Sequence, residues 1–164
     1  MRNQAKKAVS PVSALAVALL CGACSGTPEP ARLLPRDASH EVWYSTATTE
    51  LTELTAHAKQ DFKTGKVDAA SVLIQQGETV SARLMSIPRP SLAAFEATSD
   101  LDELYGQMLF HNRHYGWARL QFQKNLARWK HVQPQTADSG RRSVSAQAQI
   151  EQCDRAIESE ARTP

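Results

Sequence analysis

Apolar positions along the 164-residue chain fall into three regimes. From Ala8 to Ala23 they form one nearly continuous run. From Ser25 to Ser39 they almost vanish, leaving Leu33 and Leu34 among Pro28, Pro30 and Pro35. Beyond Trp43 and Tyr44, where the packed region is expected to begin, they recur with the period of a helix. Leu51, Leu54, Ala58 and Phe62 stand at i, i+3, i+7 and i+11, one helix face. Thr64-Gly65-Lys66 interrupts the pattern. Ala70, Leu73, Ile74, Gly77, Val80 and Leu84 then mark a longer second helix that must stop before Pro88-Arg89-Pro90. Ser99, with Asp102 three residues on, reads as a capping signal for a third helix starting near Leu101, with Asp100 and Glu103 at its positive end. That helix carries Leu104, Tyr105, Met108 and Leu109 inward. After a turn around Asn112 to His114, Ala118, Phe122, Leu126 and Trp129 mark a fourth, with Arg128 and Lys130 at its negative end. Gln133 to Gly140 reads as a loop, and Ala146, Ile150, Cys153 and Ile157 define a last helix. No stretch alternates well enough to be a strand. The expectation is an all-α fold: two helical hairpins and a C-terminal capping helix.

The first two regimes change the picture from a plain globular domain to an exported one. Arg2, Lys6 and Lys7 precede the apolar run, which closes on Gly22 and Ala23, the layout of a signal peptide over 1–23. The run is shorter than the roughly 20 residues a membrane span needs. Leu20-Cys21-Gly22-Ala23-Cys24-Ser25 resembles the lipobox of bacterial lipoproteins, although Cys21 stands where that family usually has Leu. The resemblance implies a diacylglycerol on the Cys24 sulfur, cleavage before it, and acylation of the new amino terminus, anchoring the chain in a bilayer. Ser25, in place of Asp, implies the outer membrane in a two-membrane cell, with the domain facing the periplasm or cell exterior. Cleavage after Ala23 without lipid is the alternative; Cys24 and Cys153 could then pair. Residues 24–40 read as a flexible tether and 41–164 as the folded domain. Setting Arg2, Lys6 and Lys7 aside leaves 16 of the 19 basic residues against 17 acidic ones, so the mature chain is nearly neutral. Bulk charge therefore argues against nucleic acid or a general polyanion as partner.

The two hairpins repeat. At an offset of 48 residues, Ala58 aligns with Gly106, Phe62 with Phe110, Val67 with Tyr115, Ala70 with Ala118 and Ile74 with Phe122. The order of small and large residues resembles tetratricopeptide units, with Gly65 at that family's turn glycine. The chain departs from the family in its period, which is about 34 residues there. It departs also at Asp61 and Leu109 in place of an aromatic, at Gly77 and Asn125 in place of alanine, and at Arg113 in place of the second turn glycine. A generic antiparallel bundle, which also needs small residues at its crossings, fits much of the same pattern.

The resemblance implies a groove for an extended peptide or partner protein of the envelope, lined by Thr52, Thr55, Lys59 and Lys63 in the first half and Glu103, Gln107 and His111 in the second. A different surface competes with it. Aromatic residues make up only 6% of the chain, yet six crowd between Tyr105 and Trp129, in a stretch without acids from Tyr105 to Gln135. There Trp117, Gln121, Lys124 and Arg128 recur at helical spacing as a basic stripe headed by an aromatic. It suits anionic lipid, cell-wall polymer or an acidic partner, or a face paired with acids elsewhere in a neutral domain. A small envelope enzyme or cell-wall-binding factor would have to use His111, His114 and Trp117. His111 and His114 have no Cys, Asp or Glu beside them to complete a metal site, Cys153 shares an apolar face with Ile150 and Ile157, and no phosphate loop, nucleophile elbow or cofactor motif occurs. The expectation is a non-catalytic interaction module without cofactor or metal.

Overall fold

The computed structural model describes residues 37–162, and every regular element among them is helical. A 3-10 turn, Ala38–His40, precedes α1 (Val42–Lys63), α2 (Val67–Met85), α3 (Leu92–His111), α4 (Tyr115–His131) and α5 (Ala137–Ala161). None of these is long and apolar enough to cross a membrane. The apolar run, Cys24 and nearly all of the expected tether lie outside the described residues.

Helix α1 starts more than two turns before Leu51. Tyr44, Ala47, Leu51, Thr55 and Ala58 are its buried residues, so the inward stripe extends back through the aromatic start of the domain. Tyr44 is fixed at its far end, where its hydroxyl oxygen accepts from the Ser91 backbone N–H at 3.0 Å and ties the α2–α3 connection to α1. Beside it, the Arg83 guanidinium covers the Trp43 ring at 4.4 Å.

Helix α3 begins at Leu92, not near Leu101. Its N-cap is Ser91, whose hydroxyl accepts from the Ala94 N–H at 3.2 Å, so most of the stretch expected to separate the second helix from Leu101 is itself helix. Ser99 and Asp102 are interior residues of α3, each only 1% exposed. The reason is burial: Ala94, Ala97 and Leu101 extend the apolar face N-terminally, and that gain outweighs a weak capping signal. Helix α5 likewise starts inside the expected loop. Thr136 and Ser139 close a reciprocal cap, with the Ser139 N–H donating to Thr136 Oγ1 at 3.1 Å and the Thr136 N–H to Ser139 Oγ at 2.9 Å. In its first turn the Arg142 and Arg141 guanidinium groups hold the Asp138 carboxyl below the ordinary aspartate range.

The two hairpins share one kind of turn. Gly65 and Arg113 both adopt positive φ, 80° and 63°. Lys66 N–H donates to the Asp61 carbonyl and His114 N–H to the Leu109 carbonyl, each at 2.9 Å; Gly65 N–H pairs with Phe62 and Arg113 N–H with Phe110 at 3.1 and 3.0 Å. Each pair of positions is 48 residues apart. This is the helix ending in which a left-handed residue lets the last carbonyls be satisfied.

Helix α1 packs along α2, α3 lies against both, α4 lies on α3 and α5 on α4. The first core gathers Tyr44, Leu51, Ile74, Leu84, Leu101, Leu104 and Met108; a second gathers Ala118, Phe122, Ile150 and Cys153 under α5. Ile157, expected on that face, is 39% exposed. The seam between α3 and α4 is polar. Trp129 Nε1–H donates to Ser99 Oγ at 2.7 Å, and the Asn125 amide to the Ser99 carbonyl at 3.3 Å. The Asp102 carboxylate accepts from Arg128 at 2.6 Å and Lys124 at 3.0 Å. A carboxylate this deeply buried is tolerated because it is doubly paired.

Candidate binding groove

Thr52, Thr55 and Lys59 of α1 and Glu103 and Gln107 of α3 share one depression of about 310 Å³, completed by Ala56, Ala97, Asp100 and Leu104. The helical repeat puts Thr52, Thr55 and Lys59 on successive turns, and the α1–α3 contact sets the second wall opposite them. The α1 hydroxyls donate to their own helix, Thr52 to the Thr48 carbonyl at 3.0 Å and Thr55 to that of Leu51 at 2.8 Å, so their remaining capacity toward a ligand is to accept. Asp100 is held by Arg142 from α5 at 2.5 Å. Glu103 Oε1 accepts from the Gln107 and Gln149 amides, both at 3.2 Å. Lys59 is exposed and makes no ion pair or hydrogen bond with the described residues, and it is the one basic side chain lining this depression.

Gln107 also borders a second depression, of about 500 Å³, lined by Phe62, Phe110, His111, Tyr115, Phe122, Gln149 and Gln152. Phe62 meets His111 edge-on, ring centres 5.5 Å apart, and Phe110 tilts over Tyr115 at 4.9 Å. Phe122 can stand here because residue 106 lacks a Cβ: one placed there would lie 2.7 and 2.9 Å from ring atoms Cζ and Cδ1. Six of the seven groove residues expected from the sequence thus line two depressions that meet at Gln107. The seventh, Lys63, is exposed in the last turn of α1 and lines neither.

Several contributors carried no such expectation. Gln149 and Gln152 lie on α5, read from the sequence as a cap alone, so no periodicity could assign them to the groove. Phe62 and Phe110 were aligned by the 48-residue offset, and that alignment is the signal that could have placed both at one end of a shared surface.

The basic stripe is not one free surface. Arg128, its side chain 9% exposed, and Lys124 both end on Asp102; Arg119 is paired with Asp154 at 2.6 Å and Arg113 with Glu160 at 3.7 Å. Acids from α3 and α5 flank α4 on both sides and take up charge that its own acid-free segment cannot balance. Trp117 remains 68% exposed beside Leu120 at 53%. His111 turns into the aromatic chamber while His114 stays exposed ahead of α4. Among the described residues no three His, Cys, Asp or Glu side chains are grouped to hold a metal ion. The Cys153 thiol is buried and unpaired, and burial pushes its pKa up, against thiolate chemistry. Comparison with protein-family models, with curated proteins and with solved structures finds no match to this chain.

Proposed function

We propose that this chain is a lipid-anchored helical adaptor of the bacterial envelope, held to a bilayer through Cys24, whose two hairpins stack in the manner of tetratricopeptide units. Its groove across α1, α3 and α5 takes an extended segment of another envelope protein. The observation that carries the reading is the groove itself. Two adjoining depressions run along one side of the domain, polar at the Thr52–Lys59 end and aromatic at the Phe62–Tyr115 end. The repeated turn at Gly65 and Arg113 supports the stacking of two like units, and α3 lying against both α1 and α2 is the packing such stacking requires. A groove of this size holds a short segment, so affinity is expected to be modest unless anchor residues concentrate it.

The test is photocrosslinking in cells. A photoreactive side chain at Thr52, on the groove, is expected to capture a defined partner, and the same group at Val72, exposed on α2, is not. Lys59→Glu should weaken that capture about fivefold, the scale of one lost polar contact, while Lys63→Glu leaves it unchanged. Equal capture from Thr52 and Val72, or indifference to Lys59→Glu, would remove the groove from the proposal.

A further inference from the structure

Asp37 stands at one end of the helical bundle, and we propose that this end is a docking face for an anionic bilayer surface, the bilayer that holds the acylated Cys24. The inference rests on the lipid-anchored reading and adds how the domain stands on its membrane. Three elements meet at this end: the first turn of α1, the last turn of α2 and the first turn of α3. The Tyr44 hydroxyl reaches the Ser91 N–H, and Arg83 covers the Trp43 ring. A depression of about 170 Å³ continues the surface from Leu92 and Phe95 to Val132 and Pro134, between α4 and α5.

The face is apolar and basic together. Val42 is 81% exposed and Leu92 47%, each in the first turn of its helix. Arg83, Arg89 and Lys130 of the last turn of α4 are exposed, and none is in an ion pair with a described residue. Stacked on Trp43, the Arg83 guanidinium keeps its edge for an acceptor such as lipid phosphate. Three of the acids here are already engaged. Glu41 accepts from the Trp43 indole N–H at 2.9 Å, and Asp138 pairs with Arg141 and Arg142. The Asp37 carboxyl is held below the ordinary aspartate range by the Ser39 hydroxyl and N–H, and less strongly by His40 and Arg89. Glu96, one turn further into α3, has no ion pair, and one such acid leaves the basic side chains in excess.

The occupant follows from chain length. Asp37 lies 13 residues beyond Cys24, a stretch that cannot exceed about 45 Å. A bilayer holding Cys24 is therefore always within reach of this end, at an effective concentration no diffusing partner matches, so even weak contacts suffice. Exposed aliphatic side chains beside arginines are the pairing that the boundary between headgroups and acyl chains accepts. Docked in this way, the domain points the turns at Gly65 and Arg113 away from the membrane, and the groove runs upward from Thr52 to its aromatic end.

The test uses the acylated mature chain in phosphatidylcholine vesicles, with or without one phosphatidylglycerol in three lipids. A donor dye on Ser86→Cys, an exposed position at this end, and an acceptor on the lipid let donor lifetimes separate docked from free domains. Phosphatidylglycerol is expected to raise the docked-to-free ratio about 25-fold, the worth of two arginines near the surface, and Arg89→Glu, a change of two charges, to cancel the rise. Val42→Asp should lower the ratio about tenfold or more. An acid in the first turn of α1 suits the helix dipole, so the melting temperature should not fall. Trp117→Ser, in the first turn of α4 at the opposite end, should leave the ratio unchanged. A ratio indifferent to phosphatidylglycerol or to Arg89→Glu, or one that falls with Trp117→Ser, would overturn the docking. So would a ratio that grows with the density of protein on the vesicle, which would put a second copy on this face. Flotation of the same samples reports the anchor: a chain that floats without a docked population keeps the lipid-anchored reading and loses the docking, and a chain that does not float loses both.

Discussion

Residue 113 shows how far one side chain can depart from its backbone's preference. Gly65 ends α1 at a φ that glycine adopts freely, whereas Arg113 ends α3 in the same region, where a Cβ costs about 1 kcal/mol. What Arg113 gains is an ion pair with Glu160 at 3.7 Å between largely exposed side chains, a class of contact typically worth about 0–1 kcal/mol. Arg113→Gly is therefore expected to raise stability by up to about 1 kcal/mol, and Gly65→Arg to lower it by about as much, both read from urea midpoints at constant slope. A loss in Arg113→Gly would mean that the side chain, rather than the backbone, dominates this turn. Two other side chains changed meaning on folding: Ser99 and Asp102 look like a helix start in sequence and serve as buried acceptors for Trp129, Arg128 and Lys124. Carrying the 48-residue offset further would have flagged them, because it aligns Ser99 with Leu51 and Asp102 with Leu54.

At the scale of elements, α3 and α4 cross closely at Gly106. Glycine to alanine inside a helix ordinarily gains about 1 kcal/mol. At Gly106 the new methyl would enter the Phe122 ring, itself 2% exposed with little room to move, and overpacking of this kind costs about 1–3 kcal/mol. Gly106→Ala should thus destabilise by about 1–2 kcal/mol. Gly116→Ala, with nothing within 4 Å, should be neutral or gain up to about 1 kcal/mol; thermal melts of the pair check both. The alignment of Ala58 with Gly106 and Ala70 with Ala118 made this crossing legible, because a close helix approach admits only small residues. Helix starts were less legible. At α1 the first turn is secured by Tyr44 through Ser91, a neighbour only in the packed chain, whereas Ser91 and Thr136 cap α3 and α5 over three residues.

For the whole molecule, the proposed anchor and groove act together only if the mature chain starts at an acylated Cys24. The intact mass of protein purified from the membrane fraction is expected to exceed that of the polypeptide from Cys24 by two or three acyl chains, and Cys24→Ser should release the domain from the membrane. An unacylated mature chain, or one with Cys24 and Cys153 in a disulfide, would leave the groove without its tether.

The amino-acid order by itself determined the helical class, the pairing of helices into two like hairpins and the small residues at their crossings, since all three follow from local periodicity and side-chain size. Folding decided the rest. It brought Phe62, Phe110, Tyr115 and two glutamines of α5 around one chamber, and it set acids of α3 and α5 against the basic residues of α4. Local pattern cannot foretell this, because a charged or aromatic position reads alike facing water or facing a partner 22 or 35 residues away, as Lys124 faces Asp102 and Arg119 faces Asp154.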